Sequence, residues 1–140
     1  MIEQGIIQLV QSSPAVAALC PNGGGYYGEL PPDASLPNWS FIVVFTHPMY
    51  GLLSQPGLVN MRLQIDTYSE NDNGNGTINL AAAIISILSG YSGTLADPQA
   101  TQVNAVFLLD QHDFFDAPRR NWRRLIEFEV IYYANSGTLS

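Results

Sequence analysis

The sequence is poor in charge and contains no lysine. Charged residues make up 12% of the 140 residues, against about 25% in an average soluble domain. All five basic residues are therefore arginines. A surface with so little charge depends on Asn, Gln, Ser, Thr and Gly, and weakly charged surfaces are often buried against a partner. We therefore expect a subunit of an assembly.

Cysteine is also scarce, since Cys20 is the only one. It excludes an intrachain disulfide and any C-x-x-C metal site, and its apolar neighbours predict a buried small hydrophobe. No apolar run reaches the ~18 residues of a membrane helix. The N-terminal stretch carries Glu3 and lacks the basic region of a signal peptide. These absences predict a soluble protein of a reducing cytoplasm, without a membrane partner.

Periodic apolar residues predict three helices. Apolar positions at i, i+4, i+7 and i+8 predict the first over residues 2–12. Ser13, as an N-cap followed by a proline, opens a short second helix over 15–20. Thr77 is a good N-cap for a third helix over 78–89, which is apolar on most sides and should pack against a sheet.

Four longer segments predict strands. Residues 39–47 are apolar on both faces, which predicts a central strand covered on both sides. Residues 58–69 alternate regularly and predict a strand with one buried and one wetter face. Further strands are expected over 102–109 and 123–133, and Tyr26-Tyr27 is a short extended piece.

This order of elements predicts an α+β fold over residues 1–140. We expect one domain with a largely antiparallel sheet of about four strands, an N-terminal helix and a second helix packed on it. Residues 29–38 contain three prolines and should form a loop. Residues 134–140 are expected to be a flexible polar tail.

The densest polar cluster is Asp110, His112, Asp113 and Asp116. It suggests either an acid–base or metal site, or simply the polar end of a hairpin. The second interpretation is favoured, because two phenylalanines interrupt the cluster and its spacing matches no ligand pattern. The loop at 71–76 fails as a calcium site because the bidentate carboxylate is missing. We therefore expect no catalytic residue, no metal and no cofactor.

Four of the five arginines lie at positions 119, 120, 123 and 124, around Trp122. The rest of the chain is acidic and would repel phosphate, which disfavours general nucleic-acid binding. Three roles stay open for this patch: pairing within its own hairpin, contact with a partner protein, or contact with nucleic acid. Trp and Arg are the residue types that most often dominate protein interfaces.

Strand alternation constrains the patch further. It places Arg123 and Arg124 on opposite faces of the last strand. At least one arginine should pair with Asp113 or Asp116 across the hairpin, a contact worth at most ~1 kcal/mol if exposed. Trp122 is then a candidate anchor for a partner.

The layout resembles the small tail-completion, or tail-terminator (tail-to-head joining), proteins of long-tailed bacteriophages. The resemblance covers nearly the whole chain, from the first helix to the last strand. The segments that carry it are "IEQGIIQLVQSSPAVAALC", "LPPDASLPNWSFIVV", "GLVNMRLQIDTYS" and "RRNWRRLIEFEVIYY". They share order and hydrophobic pattern with the family rather than catalytic motifs.

The resemblance implies an α+β virion protein, assembled in the host cytoplasm, that forms a hexameric ring in the tail or neck. Such a ring caps the tail tube, ends its polymerisation and joins it to the head connector. The implied partners are further copies of the chain, the tail tube protein and the head–tail connector or neck protein, with genomic DNA passing through the lumen without specific binding. The candidate subunit or partner interface is Arg62, Tyr68, Arg119, Arg120, Trp122, Arg123 and Arg124.

Three other functions remain open. The nearest is another neck ring of the same particle, such as a head-completion adaptor or stopper. A small metal-dependent enzyme would use Asp110, His112 and Asp113. A nucleic-acid-binding module would use the arginines, and its binding should weaken steeply with salt.

Overall fold

The computed structural model describes residues 2–20, 24–31, 33–34, 36–48, 57–70, 75–116 and 121–133. Its elements are α1 (Ile2–Gln11), α2 (Pro14–Leu19), β1 (Tyr26–Tyr27), β2 (Asn38–Pro48), β3 (Leu58–Ser69), α3 (Asn75–Leu88), β4 (Gly93–Thr94), β5 (Gln102–Asp116) and β6 (Asn121–Tyr133). The strands form one sheet in the order β1-β2-β3-β6-β5-β4. The α+β class is confirmed.

The expected number of about four strands is too low, because the sheet contains six. The two additions, β1 and β4, are two residues long and lie at the outer sides of the sheet. So short a strand leaves no alternation to detect, and only the β1 segment was expected to be extended. β1 runs parallel to β2, whereas all other pairs are antiparallel.

The three helices cover one face of the sheet, and the core lies between them. Its sheet side comes from alternate residues of β3 and β6, and its helix side from the apolar stripes of α1 and α3. The expected cap of α2 is present, with Ser13 Oγ accepting from the Val16 amide at 3.4 Å. The expected cap of α3 is wrong: the helix begins at Asn75, and Thr77 is buried within its first turn.

The prediction of β2 as a central strand covered on both sides is also wrong. Its first four residues are buried, but residues 44–48 are exposed. On its outer side β1 pairs with Ser40 and Phe41, and in the part of the chain that the structure describes the rest of β2 lies at the edge of the sheet. A bulge between Val43 and Phe45 breaks the alternation and turns Phe45 away from the helices.

The last hairpin is longer than expected. β5 continues to Asp116 and β6 begins at Asn121, so Asp110 to Asp116 belong to a strand rather than to a turn. The turn at 117–120 and the expected tail at 134–140 lie outside the described residues, as does most of the rejected calcium loop at 71–76. In the described part of the chain, no helix is both long and apolar enough to span a membrane.

Candidate assembly surface

The sheet face turned away from the helices, here called the open face, carries paired charges. Arg62 Nη1 lies 2.9 Å from Glu127 Oε2, and the Arg62 guanidinium lies 5.4 Å from the centre of the Phe45 ring. Asn60 Nδ2 donates to Glu129 Oε2 at 3.3 Å. The register of β3 and β6 sets Arg62 opposite Glu129 and Asn60 opposite Ile131, so both contacts are diagonal and reach the glutamate two residues before the direct partner. The one basic residue outside the arginine patch is therefore committed to its own sheet.

The second feature is the arginine end, the end of the sheet where β3 finishes and β6 begins. Here the Arg123 guanidinium lies between the rings of Tyr68 and Phe114, 5.8 Å and 5.7 Å from their centres. Its Nη2 donates to Asp66 Oδ2 at 3.0 Å. Burial acts to lower the pKa of Arg123, but the hydrogen bond and charge of Asp66 raise it above its usual value. The guanidinium therefore stays charged and is held in place.

Arg124 lies on the opposite face and is used within the hairpin. Its Nε and Nη2 donate to the two carboxylate oxygens of Asp113, at 2.6 Å and 2.9 Å. This bidentate contact lowers the pKa of Asp113. Trp122 stacks at a tilt on Phe115, with 4.9 Å between ring centres. The expected pairing across the hairpin is thus present, and Asp113 is its acidic partner.

The structure brings together only part of the predicted interface. Tyr68, Trp122, Arg123 and Arg124 meet at the arginine end, whereas Arg62 lies on the open face further back along β3, six residues before Tyr68. The remaining two arginines, at 119 and 120, lie outside the described residues. Sequence reasoning missed Asp66, whose only signal was its position on the wetter face of an alternating strand.

A groove of about 890 Å³ lies beside the arginine end. The proline-rich loop forms one wall, with Leu30 and Leu36, and Tyr68, Phe115 and Arg123 form the other. Three buried polar atoms in this region have no hydrogen-bond partner among the described residues: Asp66 Oδ1, Arg123 Nε and Trp122 Nε1.

The suspected metal cluster is divided between the two sheet faces. His112 Nε2 lies 2.8 Å from Asp110 Oδ2, and both side chains lie on the open face. Asp113 lies on the other face and is engaged by Arg124. The side chain of Asp116 lies outside the described part of the chain. The described members of the cluster therefore do not converge on one point.

Exposed apolar side chains are concentrated at the two outer sides of the sheet. Most of the large exposed hydrophobic residues in the described part of the chain lie on β2 and β5, namely Val44, Phe45, Phe107, Leu109, Phe114 and Phe115. Among the described residues, only β1 is paired beyond β2 and only β4 beyond β5, each through two residues. Such apolar surface along long strand edges is typical of contact surfaces.

Comparison with known proteins gives a family match and matches to solved structures. The family model described as "Tail completion protein gp17" matches residues 4–133. A chain in the solved structure titled "Virion of native gene transfer agent (GTA) particle" superposes with a TM-score of 0.71, covers 95% of each chain and is 13% identical. At that identity the match shows a shared fold alone. A comparison with curated protein sequences finds no match.

Proposed function

The chain belongs to the tail completion protein family, and on that premise we propose that it forms a hexameric ring that caps the tail tube and joins it to the head connector. Members of this family are structural virion proteins of phage and not enzymes. The protein is accordingly a structural component of a phage particle that assembles with other tail or head proteins. The ring, its size and its place at the tube end are the proposal.

The observation that carries the proposal is the pair of apolar outer edges, on β2 and on β5. A cyclic ring needs two different contact surfaces on each subunit, because each copy touches one neighbour with each surface. Two apolar edges on opposite sides of one sheet supply such surfaces. An interface of this kind also agrees with the low charge of the chain.

The arginine end supplies a contact with the tube or the connector. We assign Tyr68, Trp122, Arg123 and Arg124 to it, with the neighbouring Arg119 and Arg120 at the hairpin turn. Arg123 and Arg124 are already paired, so they offer fixed cations and aromatic surface rather than free charge. Fixed side chains lose less conformational entropy on binding than mobile ones.

Genomic DNA would pass through such a ring without specific binding. The open face carries Arg62 neutralised by Glu127, together with the carboxylate of Glu129. DNA binding depends on free cations that replace counterions along the phosphates. Because Arg62 is already paired with Glu127, we assign it to the contact between subunits and not to the binding of phosphate.

The first test is the native mass of the purified protein. A mass of six chains supports the proposal, whereas a stable monomer at high micromolar concentration contradicts it. A dodecamer would instead favour an adaptor ring of the neck.

The second test changes the arginines in two separate pairs. We expect Arg119→Gln with Arg120→Gln to leave the melting temperature unchanged and to block ring formation or tail attachment. Arg123→Gln with Arg124→Gln removes two internal ion pairs as well, so it should lower both stability and assembly. Normal particles assembled from both double variants would contradict the role of the arginine end.

A further inference from the structure

We infer that neighbouring subunits join by strand pairing, with the outer edge of β2 from one copy added antiparallel to the outer edge of β5 from the next. This inference rests on the proposed ring and names the contact that closes it. It commits both apolar edges to a second copy of this chain.

Each edge has a long stretch with no strand against it among the described residues. β1 pairs with Ser40 and Phe41, so residues 42–48 of β2 have no described partner strand on their outer side. β4 pairs with Gln102 and Val103, so residues 104–116 of β5 have no described partner strand on their outer side. The outward N–H and C=O groups of such edges are templates for another strand. The free stretch of β2 is short enough to fit wholly within that of β5.

The strand directions of the sheet are right for this contact. β2 is antiparallel to β3, β3 to β6, and β6 to β5, so β2 and β5 run in opposite directions. Rotation about an axis along the strands keeps each strand's direction. β5 of one copy therefore meets β2 of the next as an antiparallel pair, and the helices of both copies lie on the same side of the joined sheet.

One row of directly paired residues, which crosses the sheet from β2 to β5, has an aromatic ring at each end. Phe45 pairs with Arg62, Arg62 with Glu129, and Glu129 with Phe107. Phe45 is 37% exposed and Phe107 is 49% exposed, and no strand among the described residues lies beyond either of them. If the row continues into the next copy, Phe107 meets Phe45 as a cross-strand aromatic pair. The exposed rings then become buried in the contact.

Charge favours this contact over pairing of identical edges. The free stretch of β5 contains Asp110, Asp113 and Asp116, whereas residues 42–48 of β2 contain no acid and include His47. Pairing of β5 with β5 about a two-fold axis would bring acidic residues close to acidic residues, which destabilises a sheet. Pairing of β5 with β2 avoids that repulsion and leaves the contact open to cyclic closure.

The test is disulfide formation between engineered cysteines. The native Cys20 does not compete, because it is buried and burial raises its pKa to about 11. Phe45→Cys combined with Phe107→Cys should form covalent multimers under mild oxidation, in a ladder that ends at the ring size. Cα atoms of an antiparallel pair lie about 4.5–5.5 Å apart, within disulfide range.

The controls separate this geometry from others. Each single variant should stay monomeric on a non-reducing gel, because the two edges differ. Phe45→Cys combined with Ile78→Cys, an exposed position on α3, should give no ladder. Pairing Phe45→Cys with Ala105→Cys or Asp110→Cys, on the same face of β5, detects a shifted register. Melting curves confirm that each variant is folded.

Three outcomes overturn the inference. Intact rings in which none of the three β5 positions forms a disulfide with position 45 contradict strand pairing while leaving the proposed function standing. Efficient dimers from a single-cysteine variant indicate contact between identical edges. Absence of any ring in the native mass removes both the proposed function and this inference.

Discussion

The two faces of β3 show how one strand serves two purposes. Met61, Leu63 and Ile65 are completely buried beneath the helices, whereas the alternate Asn60 and Arg62 are half-buried and bind glutamates of β6. The covered face stabilises the fold because it removes apolar surface from water, whereas the partly exposed pairs of the open face contribute little. The covered face therefore maintains the fold, and the open face can change for a partner at low cost.

The largest effect on stability is expected when a phenylalanine is shortened to alanine on the covered face, and the same change on the open face is its comparison. Phe128→Ala removes a ring that is 0% exposed and should lower the free energy of unfolding by about 3–5 kcal/mol. Phe107→Ala on the open face should change it by no more than about 0.5 kcal/mol while weakening assembly. Urea unfolding and native mass measure the two effects. Equal losses of stability would show that the faces do not differ as described.

A middle-sized effect tests the exception on the open face. Asp66 belongs to that face by alternation, yet it is 7% exposed and accepts from Arg123. Asp66→Asn keeps the shape but removes the charge, so we expect a loss of about 1–3 kcal/mol of unfolding free energy. The same change at the exposed Asp110 is the matched control and should cost less than about 0.5 kcal/mol. If Asp66→Asn left the free energy of unfolding unchanged, Arg123 would be held by its aromatic neighbours alone.

The smallest effect should appear in acid. Arg124 holds the pKa of Asp113 below its usual value of 3.8. A carboxylate with a lowered folded pKa stabilises the fold above its unfolded pKa, and this contribution is lost as pH falls through the folded pKa. Because Asp113 is half exposed, the contribution is at most ~1 kcal/mol. As pH is lowered from about 6 to about 2, the free energy of unfolding should fall more steeply for the wild type than for Asp113→Asn. Parallel curves for the two proteins would contradict the pairing.

Local patterns predicted the two faces well. Alternation along β3 predicted its buried and its wetter face, and along β6 it placed Arg123 and Arg124 on opposite faces, because side-chain direction in a strand depends only on position along the chain. The sequence also predicted that at least one arginine pairs with Asp113 or Asp116 across the hairpin, and the structure shows this pair to be Arg124 with Asp113. Ser13 and Pro14 marked the start of α2 through local capping chemistry.

Features that depend on distant residues were not predictable. The contact of Arg123 with Asp66 requires the register between β3 and β6, which no local pattern carries. The edge position of β2 was missed because its apolar sequence suits a buried strand as well as an exposed contact edge. The bulges at Val44 and near Leu109, which aim these side chains outward, have no signal in the sequence.

The long antiparallel pairing of β6 also has a mechanical consequence. β6 is paired with β3 and with β5 over almost its whole length, from Asn121 to Tyr133. A pull along this strand loads both hydrogen-bonded ladders in shear, so that many bonds share the force at once instead of opening one after another. The arginine end is built at the start of this strand. A neighbour bound there would be attached to a strand that is held on both sides along almost its whole length.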